Sequence, residues 1–328
     1  MKASRTIKSW IAYVLAPLLL VVLTYSVYRA VRTQPDLPEA WNYIRQSFVS
    51  TAALWLITAG VGTIVNWGLE ASKWQRLLSH TEPVSFGRAF RGVLTGVSFT
   101  LFTPNRIGEY LGRIWHLSPA SRGAAVSLSV AGGVAQLFVT ALFGMCAFEF
   151  LWRGGFNIMS LTDHALAINF VRFIGWSTTM VLLLLYFNLG EVGNFLSRIK
   201  WIRSIQPLLE ALTKFSFTEL SVVLGLSFLR YLVFLLQYYF LFQFFGVELG
   251  LSHSFFTVAF LFLALALIPG VALAELGVRG QLSLWVVGAF STNSLGIVLT
   301  ATTIWFINLI LPALVGGALM VRERWFND

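Results

Sequence analysis

Two interrupted apolar stretches decide how this sequence folds. The first reads TPNRIGEYLGR over residues 103–113, and the second reads IPGVALAELGVR over residues 268–279. Each has a proline, a glutamate five or six residues later, and an arginine four residues after the glutamate. Because side chains at i and i+4 lie on the same face of a helix, the glutamate and arginine of each stretch are expected to pair. The duplication suggests a shared role.

The breaks divide the surrounding apolar segments into halves that are too short to cross a bilayer. The segments run from about 92 to 118 and from about 254 to 291, whereas one spanning helix needs about 20 apolar residues. We therefore predict two re-entrant pairs of half-helices, one at each break. Interrupted segments at corresponding places in two halves are typical of an inverted repeat with a binding site near the middle of the membrane.

Apolar runs of spanning length extend along the rest of the sequence. Of the 328 residues, 57% are hydrophobic and only 11% are charged, and the mean hydropathy is +0.76, unlike a soluble domain. We predict an all-α polytopic membrane protein with one transmembrane domain over residues 1–328, including an N-terminal span within residues 1–30. The six spanning helices are predicted at about 10–28, 48–69, 123–150, 168–188, 219–245 and 294–320.

The net charge of +9 leaves two classes of partner, nucleic acid and anionic lipid. The Lys and Arg residues separate the apolar runs and form no basic stripe with exposed aromatic residues, so nucleic acid is not expected. Since cytoplasmic loops are enriched in Lys and Arg, the pattern predicts a multi-pass protein of the cell (cytoplasmic) membrane with both termini in the cytoplasm. The 29–47 connection, with three arginines on the predicted outer side, is the exception.

The breaks also predict an anion site. Proline suits the first turn of a helix, and the free N–H groups and dipole at that end attract phosphate. A guanidinium binds phosphate with two parallel hydrogen bonds, and an arginine within a span, such as Arg230, is usually functional. The predicted substrate-binding residues are Pro104, Arg106, Glu109, Arg113, Arg230, Pro269, Gly270, Glu275 and Arg279. The alternative is that the prolines are kinks and the ion pairs are structural.

Other polar residues predict little chemistry. Glu70 and Glu149 lie near the ends of predicted spans and are expected at the interface with water. The four histidines lack metal-ligand spacing, so neither a metal nor a cofactor is expected.

The sequence has no G-x-x-x-x-G-K-[ST] motif and no G-x-S-x-G motif, which disfavours an enzyme. An intramembrane active site is the alternative.

The residues at the breaks resemble a known family. The chain is similar to the transmembrane, flippase-like region of lysylphosphatidylglycerol synthase and its stand-alone integral membrane relatives, over residues 48–320. The matching stretches are Leu54–Leu78, TPNRIGE at 103–109, FLRY at 228–231 with Gln237, and the glutamate-to-arginine part of 268–279 with its proline and glycine. The resemblance implies a domain associated with moving an aminoacylated phospholipid between leaflets. The synthase's catalytic part is a separate soluble domain, so synthase activity is not expected here.

Two functions are consistent with these observations. The first is a membrane lipid translocase or lipid-binding transporter for a phospholipid or other lipid-linked anion, with the headgroup bound between the two breaks. The second is a membrane accessory that does not transport and instead stabilises a lipid- or glycan-modifying enzyme. The expected protein partners are a membrane enzyme or further copies of this chain in a homo-oligomer. Charges buried at the middle of the membrane favour the first function, because an accessory has no reason to carry their cost.

Overall fold

The structure, a computed structural model, describes residues 25–26, 28–34, 37–100, 103, 107–154, 165–197, 210–268 and 272–326. Within these residues the secondary structure is helical, without strands, as the composition predicted. The α-helices are α1 Leu37–Ser47, α2 Ala53–Leu77, α3 Phe86–Thr100, α4 Ile107–Ile114, α5 Pro119–Arg153, α6 Ala165–Phe187, α7 Leu189–Ser197, α8 Phe217–Phe245, α9 Leu251–Leu267, α10 Ala272–Val287, α11 Ser294–Trp305 and α12 Leu311–Phe326. A 3₁₀ turn at Ala211–Lys214 precedes α8, and a π-helical turn at Phe306–Ile310 joins α11 to α12.

Four of the predicted spans are helices long and apolar enough to cross a membrane. They cover Pro119–Arg153, Leu166–Phe187, Phe217–Phe245 and Ser294–Val321, in agreement with the four later predicted spans. The span predicted at 10–28 lies outside the described residues except for its last few positions. The chain is therefore a polytopic α-helical membrane protein.

The span predicted at 48–69 has different bounds. Helix α2 begins at Ala53 and continues to Leu77, so it includes Glu70, Lys73 and Arg76 beyond the predicted end. The predicted span ends at residue 69 because the apolar run ends there, just before the charged residue Glu70. The helix continues because two of these charged side chains, Glu70 and Lys73, are buried and paired with each other at 2.8 Å.

The first interrupted segment forms a tight helical hairpin, α3–α4. Its two helices approach backbone to backbone along a seam of glycines, so that a Cβ added to Gly112 would lie 2.5 Å from the Cα of Gly96. Arg88, at the start of α3, donates from Nε and Nη2 to the carbonyl oxygen of His116, just after α4, at 2.9 and 2.6 Å. The hairpin therefore begins and ends at the same end of the molecule.

The second interrupted segment forms another hairpin, α9–α10. The ring of His253, at the start of α9, lies 5.8 Å from that of Phe290, just after α10. The Asn293 amide, which follows α10, donates to the carbonyl oxygens of Phe245 and Gly246 at 3.0 and 2.9 Å. This hairpin also begins and ends at one end of the molecule, beside the end of α8.

The two hairpins open at opposite ends of α8. His80, in the connection before the first hairpin, contacts Glu219 in the first turn of α8 at 2.7 Å. We call this the proximal end, and the end near Gly246 the distal end. Each half of the molecule thus has the order long helix, hairpin, long helix or helical segment, and the halves run in opposite directions. This is the predicted order of an inverted repeat; re-entry of the hairpins into a membrane stays a prediction.

The last helical segment closes the molecule against the first hairpin. Ser98 of α3 donates to the carbonyl oxygen of Ala313 at 2.6 Å. A Cβ added to Gly316 would lie 2.1 Å from the carbonyl oxygen of Leu94, so this contact also requires a glycine. The segment Ser294–Val321 therefore belongs to both halves of the structure: it ends the second and packs on the hairpin of the first.

Candidate functional site

The structure describes five of the nine predicted site residues. Pro104, Arg106, Pro269 and Gly270 lie outside the described residues. The other five are all on helices: Glu109 and Arg113 on α4, Arg230 on α8, and Glu275 and Arg279 on α10.

Four of these five line one cavity between the two hairpins. The cavity has a volume of about 60 Å³. Its lining comes from the first hairpin, α2, α8, α10 and the α11–α12 segment, and includes Trp67, Glu109, Arg230, Phe234, Glu275, Arg279, Trp305 and Asn308. The structure therefore brings together charges that are up to 170 positions apart in the sequence, from Glu109 to Arg279.

Charged side chains from both halves meet at Glu70. Its Oε1 accepts from Arg113 at 2.7 Å, and its Oε2 lies 2.8 Å from Lys73 Nζ and 2.9 Å from Arg230 Nη1. Arg113 also pairs with Glu109, as the spacing predicted. We call Glu70, Lys73, Glu109, Arg113 and Arg230 the ion cluster. It connects α2, α4 and α8.

The prediction that Glu70 lies at the interface with water is wrong. The Glu70 side chain is only 2% exposed, and that of Arg113 only 5%. A lone carboxylate would not be stable there, because removing an ion from water costs several kcal/mol. Three cations, of which Arg113 also donates a hydrogen bond, compensate for that cost. Two of the cations come from helices distant in the sequence, so apolar length alone could not reveal this arrangement.

The second ion pair lies across the cavity from the cluster. Arg279 Nη2 donates to Glu275 Oε1 at 2.8 Å, and Arg279 Nη1 donates to the hydroxyl of Tyr238 at 3.1 Å. The Arg279 side chain is 12% exposed and that of Arg230 is 14% exposed. Both arginines are thus held by protein partners while their side chains remain accessible from the cavity.

A chain of amide side chains supports Arg230 from behind. Arg230 Nε donates to Asn66 Oδ1 at 2.7 Å, and Asn66 Nδ2 donates to Asn308 Oδ1 at 2.9 Å. Asn308 in turn donates to Gln237 Oε1 at 3.2 Å, and Gln237 Nε2 donates to Thr63 Oγ1 at 2.9 Å. The rings of Trp67 and Phe234 lie 5.1 and 5.5 Å from the Arg230 guanidinium carbon, a range typical of cation–π contacts.

The sequence contains a pattern that could have predicted this support. On α2 the polar residues Thr63, Asn66, Glu70 and Lys73 follow one another at intervals of three or four, which places them on one face of a helix. All four are buried. Within an otherwise apolar helix, such a polar stripe indicates a face turned toward the protein interior.

Several buried donors at the cavity have no hydrogen-bond acceptor within the described part of the chain. They are the indole N–H groups of Trp67 and Trp305 and the Nε of Arg279, and all three residues line the cavity. Buried N–H groups are normally paired. With two guanidinium groups, this lining is suited to a ligand that offers several oxygen acceptors, such as a phosphate. Among the described residues, no group of three His, Cys, Asp or Glu side chains could hold a metal ion.

Comparison with protein families gives a match over most of the chain. A family model described as the lysylphosphatidylglycerol synthase TM region matches residues 10–316. No curated protein matches the chain.

Proposed function

We propose that this chain, which belongs to the family of the lysylphosphatidylglycerol synthase TM region, is a membrane lipid translocase or lipid-binding transporter that recognises an anionic headgroup. The observation that carries the proposal is the cavity between the oppositely directed hairpins, lined by Arg230 and Arg279. A site at the meeting point of two inverted halves is where transporters of this construction bind their substrates. The proposal includes no catalytic step.

The charges around the cavity support an anionic group on the ligand. Among the described residues, the ion cluster has three cations, Lys73, Arg113 and Arg230, against two carboxylates. Arg279 is paired with one carboxylate. The ion cluster therefore has one more positive than negative charge, and an anion entering the cavity would neutralise it. In a bilayer the common anion is a lipid phosphate, which a guanidinium binds in bidentate fashion.

The size of the cavity implies that binding needs movement. Its volume of about 60 Å³ is well below the roughly 300 Å³ or more of usual ligand pockets. A phospholipid headgroup therefore requires the hairpins to separate from α8 or from each other. Hairpins are suited to this because both connections of each one lie at a single end, so its helices can shift without breaking a span.

We further propose that the proximal end faces the cytoplasm, with the hairpins re-entrant from opposite sides. The helices around the opening of the first hairpin carry Arg76, Arg88 and Arg122. At the opening of the second, the end of α5 carries Arg153, and the connections 246–250 and 288–293 have no Lys or Arg. An excess of basic residues near spanning helices is typical of the cytoplasmic side. The cell membrane is the location that this proposal assigns.

The test is leaflet exchange of fluorescent phosphatidylglycerol by the purified protein in liposomes. Replacing the pair Glu275→Gln with Arg279→Gln removes one cation from the cavity and leaves no unpaired charge. Losing a charge-assisted hydrogen bond costs about 1.5–3 kcal/mol, so exchange at limiting lipid concentration should fall by about tenfold or more. A matched control is Glu149→Gln with Arg172→Gln, because that pair has a similar length of 2.9 Å and lies outside the cavity.

One result of this experiment would contradict the proposed transport. If the Glu275/Arg279 variant keeps its thermal stability and exchanges lipid at the rate of the unchanged protein, the pair takes no part in transport. The non-transporting accessory function would then be the better proposal, and co-purification with a membrane enzyme would be its test.

A further inference from the structure

We infer that Glu70 acts as an internal counter-ion that competes with a bound anionic headgroup for Arg230. The inference rests on the proposed function for the identity of the ligand. It assigns to Glu70 a role that the lining of the cavity does not suggest, because Glu70 is not one of the lining residues.

The contacts of Glu70 define this role. Its carboxylate is reached by cations from three different helices: Lys73 on α2 itself, Arg113 on the first hairpin, and Arg230 on α8. Arg113 and Lys73 have further partners, since Arg113 also pairs with Glu109 and Lys73 lies 3.5 Å from the carbonyl oxygen of Gly132. Among the described carboxylates, Glu70 is the partner of Arg230.

The position of Arg230 makes competition a geometric consequence. Its Nε is fixed by Asn66 at 2.7 Å and its Nη1 by Glu70 at 2.9 Å, while the side chain lines the cavity. Two parallel N–H donors are needed for bidentate binding of a phosphate. Because Asn66 occupies Nε, a headgroup binds in this way through Nη1 and Nη2. It then shares Nη1 with Glu70, whose negative charge opposes a second anion at the same guanidinium.

Removing the charge of Glu70 should change the affinity for an anion in opposite directions, depending on whether Glu70 competes with the anion or supports its binding. If Glu70 merely held the fold or oriented Arg230, removing its charge would weaken anion binding. If Glu70 competes, removing its charge strengthens anion binding. The same contact also ties the first hairpin to α8 through Arg113 and Arg230, so a headgroup that takes Arg230 loosens one connection between the two halves. Binding and hairpin movement are coupled in this way.

The experiment measures binding of fluorescent phosphatidylglycerol to the purified full chain in detergent, with fluorescent phosphatidylcholine as the zwitterionic reference. The variant is Glu70→Gln with Lys73→Gln, which removes one charge of each sign, so the net charge of the cluster is unchanged and Arg113 keeps Glu109. Lys73→Gln alone is the reference for the lysine. The affinity of the double variant for phosphatidylglycerol is expected to exceed that of Lys73→Gln alone by about fivefold or more. Adding Arg230→Gln to the double variant should abolish the gain.

The outcomes distinguish this inference from the proposed function. Equal or weaker affinity in a double variant of unchanged thermal stability overturns the competition, as does a gain that persists with Arg230→Gln. Arg230→Gln alone tests the proposed function, since unchanged affinity would mean that the lipid binds elsewhere. A thermal unfolding cycle of Glu70→Gln and Arg230→Gln tests the pair without any lipid. Additive effects on Tm would show that the two side chains do not interact and would also overturn the inference.

Discussion

At the scale of single residues, the polar face of α2 determines how charge is held inside this protein. Asn66 is fully buried, and its amide joins Arg230 of α8 to Asn308 of the last helical segment. A buried amide is stable only when its donor and acceptor are both paired. Asn66 therefore fixes the position of the Arg230 guanidinium and at the same time joins three helices.

We expect Asn66→Leu to destabilise the protein by about 1–3 kcal/mol, because it leaves Arg230 Nε and the Asn308 carbonyl without their partners. The measurement is thermal unfolding of the purified protein in detergent, followed by intrinsic fluorescence. Ser72→Ala is the control, since within the described part of the chain the Ser72 hydroxyl bonds to the Gly68 carbonyl on the same helix and to no other helix. A Tm for Asn66→Leu equal to that of Ser72→Ala would mean that the amide chain has no net effect on stability.

Residue by residue, the sequence predicted the charges that are unusual for their position. Arg230 interrupts a strongly apolar run, and Glu275 with Arg279 repeats the pattern of Glu109 with Arg113. Glu70 taken alone gave no such indication, because a glutamate at the end of an apolar run is equally consistent with the membrane surface; only the polar stripe of α2 indicates the interior. Its burial depends on Arg113 and Arg230, and neither neighbours it in the sequence.

At the scale of secondary-structure elements, the first hairpin depends on glycine. Gly92 and Gly96 on α3 face α4, which carries Gly108 and Gly112 at the same spacing of four. Without a driving force from water, helices in a membrane associate through close packing of small residues. The two short helices therefore pack at a distance that no side chain could fit, which compensates for the small area that each can bury.

Gly112→Ala is expected to force the hairpin apart. The new Cβ would lie 2.5 Å from Gly96 Cα and 2.6 Å from the Thr95 carbonyl oxygen, and backbone atoms cannot rotate away as a side chain can. Overpacking of this kind costs about 1–3 kcal/mol, which should lower Tm by several degrees.

Gly225→Ala is the matched control for the hairpin. Gly225 is also helical, and its Cβ would meet no atom within 4 Å, so higher helix propensity should leave Tm unchanged or raise it. Equal Tm values for Gly112→Ala and Gly225→Ala would mean that α3 and α4 separate at little cost.

The position of both interruptions could be predicted from proline and length, whereas the ends of the helices could not. Helix α2 continues eight residues past its predicted end at residue 69, to Leu77, because ion pairing offsets the hydropathy of Glu70 and Lys73. The close packing of α3 and α4 was also not predicted, since the significance of Gly96 depends on which backbone lies opposite it.

At the scale of the whole molecule, the opposite directions of the two halves have a consequence for topology. The connection after α2 and the start of α9 should lie on different sides of the membrane. In a Cys146→Ser background, which removes the single cysteine, we expect an impermeant thiol reagent applied to intact cells to label Ser252→Cys and not Ser79→Cys. Both positions are exposed. Labelling of both from one side would show that the hairpins do not open in opposite directions across the membrane.

The sequence predicted this overall arrangement because two similar breaks, one in each half of the chain, are typical of an inverted repeat. It could not predict that the hairpins meet at α8. That meeting depends on packing of α8 against α2 through Gln237, which donates to the Ala59 carbonyl at 2.8 Å, and an isolated glutamine in an apolar run does not specify its partner.

The π-helical turn at Phe306–Ile310 restricts the length of the last segment. A π turn accommodates one residue more than an α-turn would. Losing that residue would rotate everything beyond it by about 100° around the helix axis. Asn308 would keep its place in the amide chain only if Ala313 and Gly316 turned away from the first hairpin, which they now contact. The number of residues in this segment is therefore constrained more tightly than the identity of its outward-facing side chains.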